Sequence, residues 1–191
     1  MRIGVAAAIC FLATACGPAD HEISEVDGVR AAYGEAQKKR QLTPAEMLRR
    51  AESSFSPVAF GVSYEQAAKL GGSTIDLNFC RRIRGCVWID AQNVHYDADA
   101  EGGVFSKAVE VRKFPSQALN LLGIGRARSR NDVLRAIGRF LPTTKFECIR
   151  PPPDAEGAWW CGALVGDGFI ELRFDDNNDL AWAIVAARPE S

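Results

Sequence analysis

The chain has 191 residues, of which 23 are Lys or Arg and 24 are Asp or Glu, for a formal net charge of −1. This length is sufficient for one domain or for two small repeats that share a core. The balanced charge gives no indication of a surface for nucleic acid, so we predict no nucleic-acid partner.

The first residues are typical of an export signal. Arg2 supplies a positive charge, and an apolar, alanine-rich run over 3–12 follows it. This run is too short to span a bilayer stably, which favours a cleaved signal over an anchoring helix. We therefore predict a signal peptide at 1–15.

Small residues directly before Cys16 resemble a bacterial lipobox, where an exported protein is acylated on the cysteine. Gly17 follows, rather than the aspartate associated with retention in the inner membrane. We predict a lipid anchor at Cys16, a tether over 16–42, and a place at the outer membrane facing the periplasm. The alternative is a secreted protein without lipid, because ordinary signal peptidase also cuts after Ala-x-Ala.

Four cysteines remain for the mature domain once Cys16 carries lipid. An even number of cysteines in an exported chain indicates disulfide bonds. The cysteines that are closest in sequence would lie at facing ends of hairpin strands, within bonding distance. We predict the bonds Cys80–Cys86 and Cys148–Cys161. Zinc is the competing interpretation, but neither spacing is C-x₂-C and no histidine lies near either pair. We predict no metal and no cofactor.

The first half of the domain begins with two capped helices. Thr43 precedes Pro44 and, with Glu46, has the pattern of a capping box, and Ser63 caps a second, shorter helix. The predicted elements are helices at 44–53 and 64–70 and strands at 74–80, 86–94 and 104–114. A hairpin connection is predicted at 81–85, a polar loop at 96–103, and a break in the last strand at Lys107.

The second half follows a similar order. Ser129 caps an amphipathic helix that Pro142 ends, and four strand-like segments follow it. The predicted elements are helices at 117–122 and from 130 to 141, strands at 144–149, 159–165, 169–174 and 180–187, and a turn at 175–179. Cap, helix, glycine and cysteine recur with a period near 67 residues, which predicts an internal repeat with copies at 43–114 and 115–191.

Three stretches resemble the β-lactamase inhibitor protein family and its single-copy relatives, the small outer-membrane assembly lipoproteins of the SmpA/BamE type. Residues 60–66, Phe-Gly-Val-Ser-Tyr-Glu-Gln, are similar to the aromatic-Gly-Met-Thr-x-x-Gln helix opening of that family. Residues 132–134 and 137–138 are similar to the second copy, and 174–185 resembles the closing hairpin. The resemblance implies two helix-loop-helix plus antiparallel-sheet repeats, with one disulfide each, that bind proteins through a concave sheet.

Two groups of residues are candidates for a protein interface. Arg81, Arg82 and Arg84 lie between two cysteines, and a loop held rigid in this way loses little entropy on binding. A solvated loop is the alternative for these arginines. Trp159 and Trp160 are adjacent on a strand and must point to opposite faces, so one belongs to the core and the other is a rim residue or an interface anchor.

Two further positions have the residue types of a chemical site without its spacing. His95 lies near acidic residues, but no motif supplies partners for metal binding or acid–base chemistry. The run at 175–179 has part of a calcium-loop pattern, but Leu180 replaces the required glycine, which favours a turn.

Taken together, these features predict an α+β, disulfide-bonded lipoprotein of the cell envelope that binds a protein partner. It would act as an envelope-assembly accessory or as an inhibitor of a periplasmic enzyme. The alternative is a periplasmic enzyme, or a small-ligand-binding protein, that has no recognisable motif.

Overall fold

The computed structural model describes residues 41–73, 75–83, 85–113, 120–152 and 157–187. The predicted signal peptide, the lipidation site Cys16 and nearly all of the predicted tether lie outside these residues. Arg84 and residues 117–119 of the predicted helix at 117–122 lie outside them as well. Within the described part of the chain, no helix is long and apolar enough to cross a membrane.

Seven strands form one antiparallel sheet in the order β1-β2-β3-β7-β6-β5-β4. The first three strands make one meander and the last four make another, and the pairing of β3 with β7 joins them. Helices together with this sheet confirm the predicted α+β class. The strands are β1 Cys86–Ile89, β2 Val94–Ala98, β3 Val104–Glu110, β4 Glu147–Ile149, β5 Trp159–Val165, β6 Gly168–Phe174 and β7 Leu180–Ala187.

Four α-helices of the described residues precede or interrupt the strands, and the caps of three of them follow from the sequence. Thr43 Oγ1 accepts from the backbone N–H of Glu46, while the Glu46 carboxylate accepts from the backbone N–H of Thr43 at 2.8 Å. Two further helices are capped by serine hydroxyls: Ser63 accepts from the backbone N–H of Gln66, and Ser129 accepts from that of Asp132. These caps confirm the predicted helix starts. The helices are α1 Pro44–Ser53, α2 Tyr64–Gly71, α3 Leu77–Ile83 and α4 Arg130–Phe140, with a 3₁₀ turn at Leu121–Gly123.

One face of the sheet is covered by the helices and forms the core. Alternate residues of β6, Ile170, Leu172 and Phe174, are fully buried there, as strand geometry requires. Val133 and Ile137 of α4 are buried in the same core cluster. The opposite face therefore carries the residues between them, and no described helix covers it.

The predicted strand at 74–80 is wrong, because part of this stretch forms α3. Asp76 Oδ1 accepts from the backbone N–H groups of Asn78 and Phe79, each at 3.0 Å. This aspartate satisfies the free donors of a helix start, and that local gain prevails over the alternating pattern that favoured a strand. Cys80 consequently lies in a helix, so the predicted hairpin connection at 81–85 is wrong as well.

The predicted single strand at 86–94 is divided by a turn. β1 ends at Ile89, the Asp90 carboxylate accepts from the backbone N–H of Val94 at 2.9 Å, and Asn93 adopts a left-handed conformation. The chain reverses here, so β2 begins at the end of the predicted strand and continues into the segment at 96–103 that was expected to be a loop. The predicted break at Lys107 is also wrong, since β3 continues through this residue, and the predicted strand at 144–149 is reduced to β4.

Candidate functional site

The uncovered face of the sheet, called the open face below, carries exposed apolar side chains at both of its edges. Val87 and Ile89 on β1 are 65% and 51% exposed, and Ile149 on β4 and Leu164 on β5 are 60% and 70% exposed. They make up four of the six large hydrophobic residues that are exposed in the described part of the chain. Exposed apolar residues gathered on one surface are typical of an interaction site.

A groove of about 650 Å³ crosses the open face over β4, β5 and β6. Its floor is Gly162, which pairs with Glu147 on one side and with Glu171 on the other. Trp160 and Leu164 precede and follow the glycine on the same face of β5. The groove exists because the central position of this surface has no side chain while its four neighbours do.

Gly162 is not required by the backbone at this position. A Cβ atom placed there would meet only the backbone oxygen of Ile170, at 3.9 Å, which is an ordinary van der Waals contact. A larger residue could therefore occupy the groove without strain in the strand. The sequence analysis missed this glycine, although a glycine inside a strand is a recognised sign of close approach by another group.

Trp160 lines the groove and is held by a charged neighbour. The guanidinium of Arg173 lies 4.9 Å from the centre of the Trp160 ring, and its Nε donates to the Glu171 carboxylate at 2.6 Å. All three side chains are half-buried. The indole is thus fixed in place at the edge of the groove, as an interface anchor needs to be.

Trp159 points to the opposite face, as predicted for adjacent strand residues. It is half-buried against the core cluster, between the guanidinium groups of Arg130 at 4.0 Å and Arg150 at 5.1 Å. The structure thus assigns the two tryptophans different surroundings, and only Trp160 lines the groove.

Two of the three arginines of the predicted cluster, Arg81 and Arg82, belong to α3. Arg82 is exposed and its guanidinium lies 5.5 Å from the ring centre of Phe79, which is itself 44% exposed. Arg81 belongs to the same helix, and Arg84 lies outside the described residues. Arg82 does not line the groove over Gly162.

Both predicted disulfides are present. Cys148 and Cys161 face each other directly on β4 and β5, which holds the short edge strand beside the groove. Cys80 and Cys86 join the helix α3 to the start of β1. The Cys80–Cys86 bond therefore fixes a helix to the edge strand β1, rather than closing a hairpin.

A charged residue that the sequence analysis interpreted only as a break in a strand lies in the core. Lys107 is fully buried on the covered face, its Nζ is 3.4 Å from Oε1 of Glu52, and it donates to the backbone oxygen of Val58. Burial lowers the pKa of Lys107, and the Glu52 carboxylate opposes that shift. This buried amine joins β3 to α1 through Glu52.

A second buried polar pair lies on β2 and the preceding turn. The Tyr96 hydroxyl donates to the Asp90 carboxylate at 2.7 Å, and the Tyr96 ring stacks on Trp88 with 5.0 Å between centres. Burial raises the pKa of Tyr96, and hydrogen bonding to Asp90 adds to that effect. This pair closes the β1–β2 turn.

His95 lies on the open face, where its ring meets Trp182 edge-on with 5.2 Å between centres. No cluster of three metal-ligating residues occurs in the ranges that the structure describes. In the predicted turn at 175–179, Asp175 accepts from the backbone N–H groups of Asn177 and Asp179, each at 2.9 Å. This carboxylate is therefore engaged in holding the turn.

Comparisons with known proteins give no relative: no family model, no curated protein and no solved structure matches the chain.

Proposed function

We propose that this chain is a lipid-anchored protein of the cell envelope that binds another protein with the open face of its sheet. The observation that carries the proposal is the groove over Gly162, which lies between Trp160 and Leu164 on a face that no described helix covers. Aromatic residues beside a pocket are the usual anchors of protein interfaces.

The role of the complex follows from the proposed address and the resemblance. A protein tethered at Cys16 to the outer membrane would meet periplasmic and membrane-bound proteins, as an assembly accessory or as an inhibitor of a periplasmic enzyme. We further propose that 43–114 and 115–191 are two related repeats. Each contains one meander of the sheet and one disulfide, which is consistent with this proposal.

Crosslinking in the native host tests the binding surface. A photoreactive amino acid in place of Leu164 should form adducts with a different protein, because this side chain borders the groove. The matched control is the same amino acid in place of Leu70, which is 62% exposed but belongs to α2. Equal adducts from both positions, or none from position 164, would contradict the proposal.

Substitutions then identify the anchor. Trp160→Ala should weaken capture of the crosslinked partner by about 2 kcal/mol, the size expected for a central aromatic residue. Arg82→Ala should have a smaller effect, since this exposed arginine lies on α3, away from the groove. Gly162→Leu should fill the groove and abolish capture while leaving the circular dichroism spectrum unchanged.

The size of the groove also favours a second candidate function, binding of a small ligand. Its volume falls within the range of about 300–1,000 Å³ typical of small-molecule sites, and much of its lining is apolar. A screen of apolar and amphiphilic compounds would test this function, with the tryptophan fluorescence of the protein, to which Trp160 contributes, as the signal. Saturable quenching that is lost in Gly162→Leu, without any protein adduct at position 164, would favour it over protein binding.

A further inference from the structure

The sheet has two edge strands, β1 and β4, which differ in what lies beside them. The outer side of β1 is occupied by the chain that precedes it. The Ser73 hydroxyl donates to the backbone oxygen of Ile89 at 3.3 Å, and just after the strand the backbone N–H of Ala91 donates to the oxygen of Gly71 at 3.2 Å. The disulfide of α3 also joins that helix to the first residue of β1. Another strand therefore cannot pair along β1 without displacing these groups.

At β4, the direction of the backbone groups follows from the pairing with β5. Cys148 and Cys161 are directly opposite each other, with 4.0 Å between their Cα atoms. In an antiparallel pair, so short a separation belongs to a position without interstrand hydrogen bonds, where the N–H and C=O groups point away from the neighbouring strand. Glu147 and Ile149 consequently bond to β5, whereas the N–H and C=O groups of Cys148 point outward from the sheet.

The outward backbone groups of Cys148 have no hydrogen-bond partner among the residues that the structure describes. Unpaired donors and acceptors along a sheet edge are a template for a further strand. The disulfide to Cys161 holds this short strand in place, so little order has to be gained when another segment binds to it. The β4 edge is thus open and fixed, in contrast to the occupied edge at β1.

The side chains along this edge define the segment that fits it. Lys145, Glu147 and Ile149 are exposed and line the outer wall of the groove on the open face. Residues of an added strand stand directly opposite them, where unlike charges attract and like charges repel. Charges at an edge also discourage pairing with segments that do not match. The complementary antiparallel segment therefore carries an apolar, a basic and an acidic residue, in that order, at alternate positions.

We propose that the protein partner supplies an extended segment that pairs with β4 as an eighth, antiparallel strand, with its backbone bonded to Cys148 and its side chains matched to Glu147 and Ile149. The inference rests on the proposed function, because it specifies how the partner of the open face is held. Main-chain hydrogen bonds provide the affinity of such a complex, and the alternating side chains provide its specificity. The antiparallel direction is favoured because this pairing is the more stable per residue.

Selection of short random peptides on the chain carrying Cys16→Ala tests the charge preference. Peptides bound by this chain should carry a basic residue two positions after an apolar one, and Glu147→Lys should bind them about fivefold more weakly. Selection on Glu147→Lys should replace the basic residue by an acidic one. The matched control, Glu101→Lys, changes an exposed loop residue and should select the same peptides as the parent chain. The same preference in the parent chain and Glu147→Lys, or no selected peptide, would overturn the proposal.

Amide hydrogen exchange, followed by NMR, tests the backbone pairing. In the free chain the N–H of Cys148 should exchange faster than those of Glu147 and Ile149, and a selected peptide should slow it at least tenfold. N-methylation of the peptide residue between the apolar and the basic one should abolish this protection, because its N–H faces Cys148. N-methylation of the next residue, whose N–H points away from β4, should not. A bound peptide that leaves the exchange of Cys148 unchanged would overturn the proposal.

These results are separable from those for the proposed function. Adducts with a partner protein at position 164, without protection of Cys148 by any selected peptide, refute the edge pairing alone. Protection of Cys148 by a peptide, without such adducts, refutes only the use of the open face. Protection that rises with the concentration of the chain itself, in the absence of peptide, would identify a second copy as the added strand and would also overturn the proposal.

Discussion

Lys107 and Glu52 form an ion pair inside the core, with 3.4 Å between Nζ and Oε1 and with no exposure of the lysine side chain. The pair joins β3 to α1, and both residues also bind backbone groups: Lys107 donates to Val58 O, and Glu52 accepts from the N–H of Phe60. The segment between the first two helices is therefore held to the sheet by charge as well as by apolar contact.

We expect Lys107→Met to lower the free energy of unfolding by about 3 kcal/mol or more, because it leaves a buried carboxylate without its cation. The double variant Lys107→Met with Glu52→Gln should lose less than the sum of the single variants. Lys113→Met is the matched control: it breaks the ion pair with Glu110 at the surface and should cost less than about 1 kcal/mol. Denaturant unfolding followed by circular dichroism measures all four. Equal losses for Lys107→Met and Lys113→Met would show that the buried pair does not stabilise the fold.

Alkaline pH should destabilise the domain through Tyr96. Its pKa in the folded state lies above the ordinary value of about 10 because of burial, so the folded domain holds this proton more tightly than the unfolded chain. This contribution is complete below about pH 10 and is lost as the pH rises beyond it. Tyr96→Phe should be less stable at neutral pH by about 1 to 2 kcal/mol, since Asp90 loses a donor, and should show a weaker alkaline loss.

Unfolding free energies of wild type and Tyr96→Phe, measured across the alkaline range, provide this comparison. The lowered pKa of Lys107 acts in the opposite direction, with stability rising as the pH approaches about 10.5, but both chains contain this lysine and its effect cancels. Parallel curves for the two chains would contradict the prediction.

Removal of the Cys148–Cys161 bond should cost about 3 kcal/mol in the loop-entropy model, for a sequence separation of 13 residues. The double variant Cys148→Ala with Cys161→Ala should therefore unfold at lower denaturant concentration. It should also weaken binding at the groove, because β4 forms its outer wall and is only three residues long. Unchanged binding in the folded double variant would show that the edge strand keeps its place without the bond.

The lipid anchor predicted at Cys16 is tested by mass spectrometry of the N-terminal peptide. The wild-type chain should be acylated and recovered with the outer membrane, and Cys16→Ala should lack lipid and be released or stalled. Gly17→Asp provides the control, because it should keep the lipid while moving the protein to the inner-membrane fraction. An unmodified Cys16 in the wild type would leave a secreted protein as the correct interpretation.

Local patterns sufficed to predict those parts of the fold that depend on near neighbours in sequence. Caps at Thr43, Ser63 and Ser129 and the opposite orientation of Trp159 and Trp160 follow from helix and strand geometry alone. The helix α3 was missed because the apolar pattern of this stretch favours a strand, whereas a single side chain, Asp76, accepts the hydrogen bonds that start a helix. The pattern of apolar and polar residues does not predict the hydrogen bonds that Asp76 accepts.

The candidate site was predictable only in part, for a different reason. Trp160 stood out as a large residue. The groove itself, however, lies over a glycine that has no side chain, and its walls come from three strands whose register the sequence does not reveal. Glu147 and Glu171 are neighbours of Gly162 only after β4, β5 and β6 have paired. Likewise, the buried side chain of Lys107 is paired with Glu52 on α1. The sequence around Lys107 gives no indication that Glu52 is its partner.

The last strand of the chain occupies the middle of the sheet. β3 at Val104–Glu110 therefore completes its pairing only when β7 at Leu180–Ala187, far along the chain, is present. Contacts so distant in sequence form slowly, and an unpaired strand is open to wrong partners in the meantime. Before β7 is available, the first meander has a bare inner edge. In a chain that is exported as we propose, β3 would therefore need protection by a chaperone or rapid delivery of the carboxyl-terminal residues.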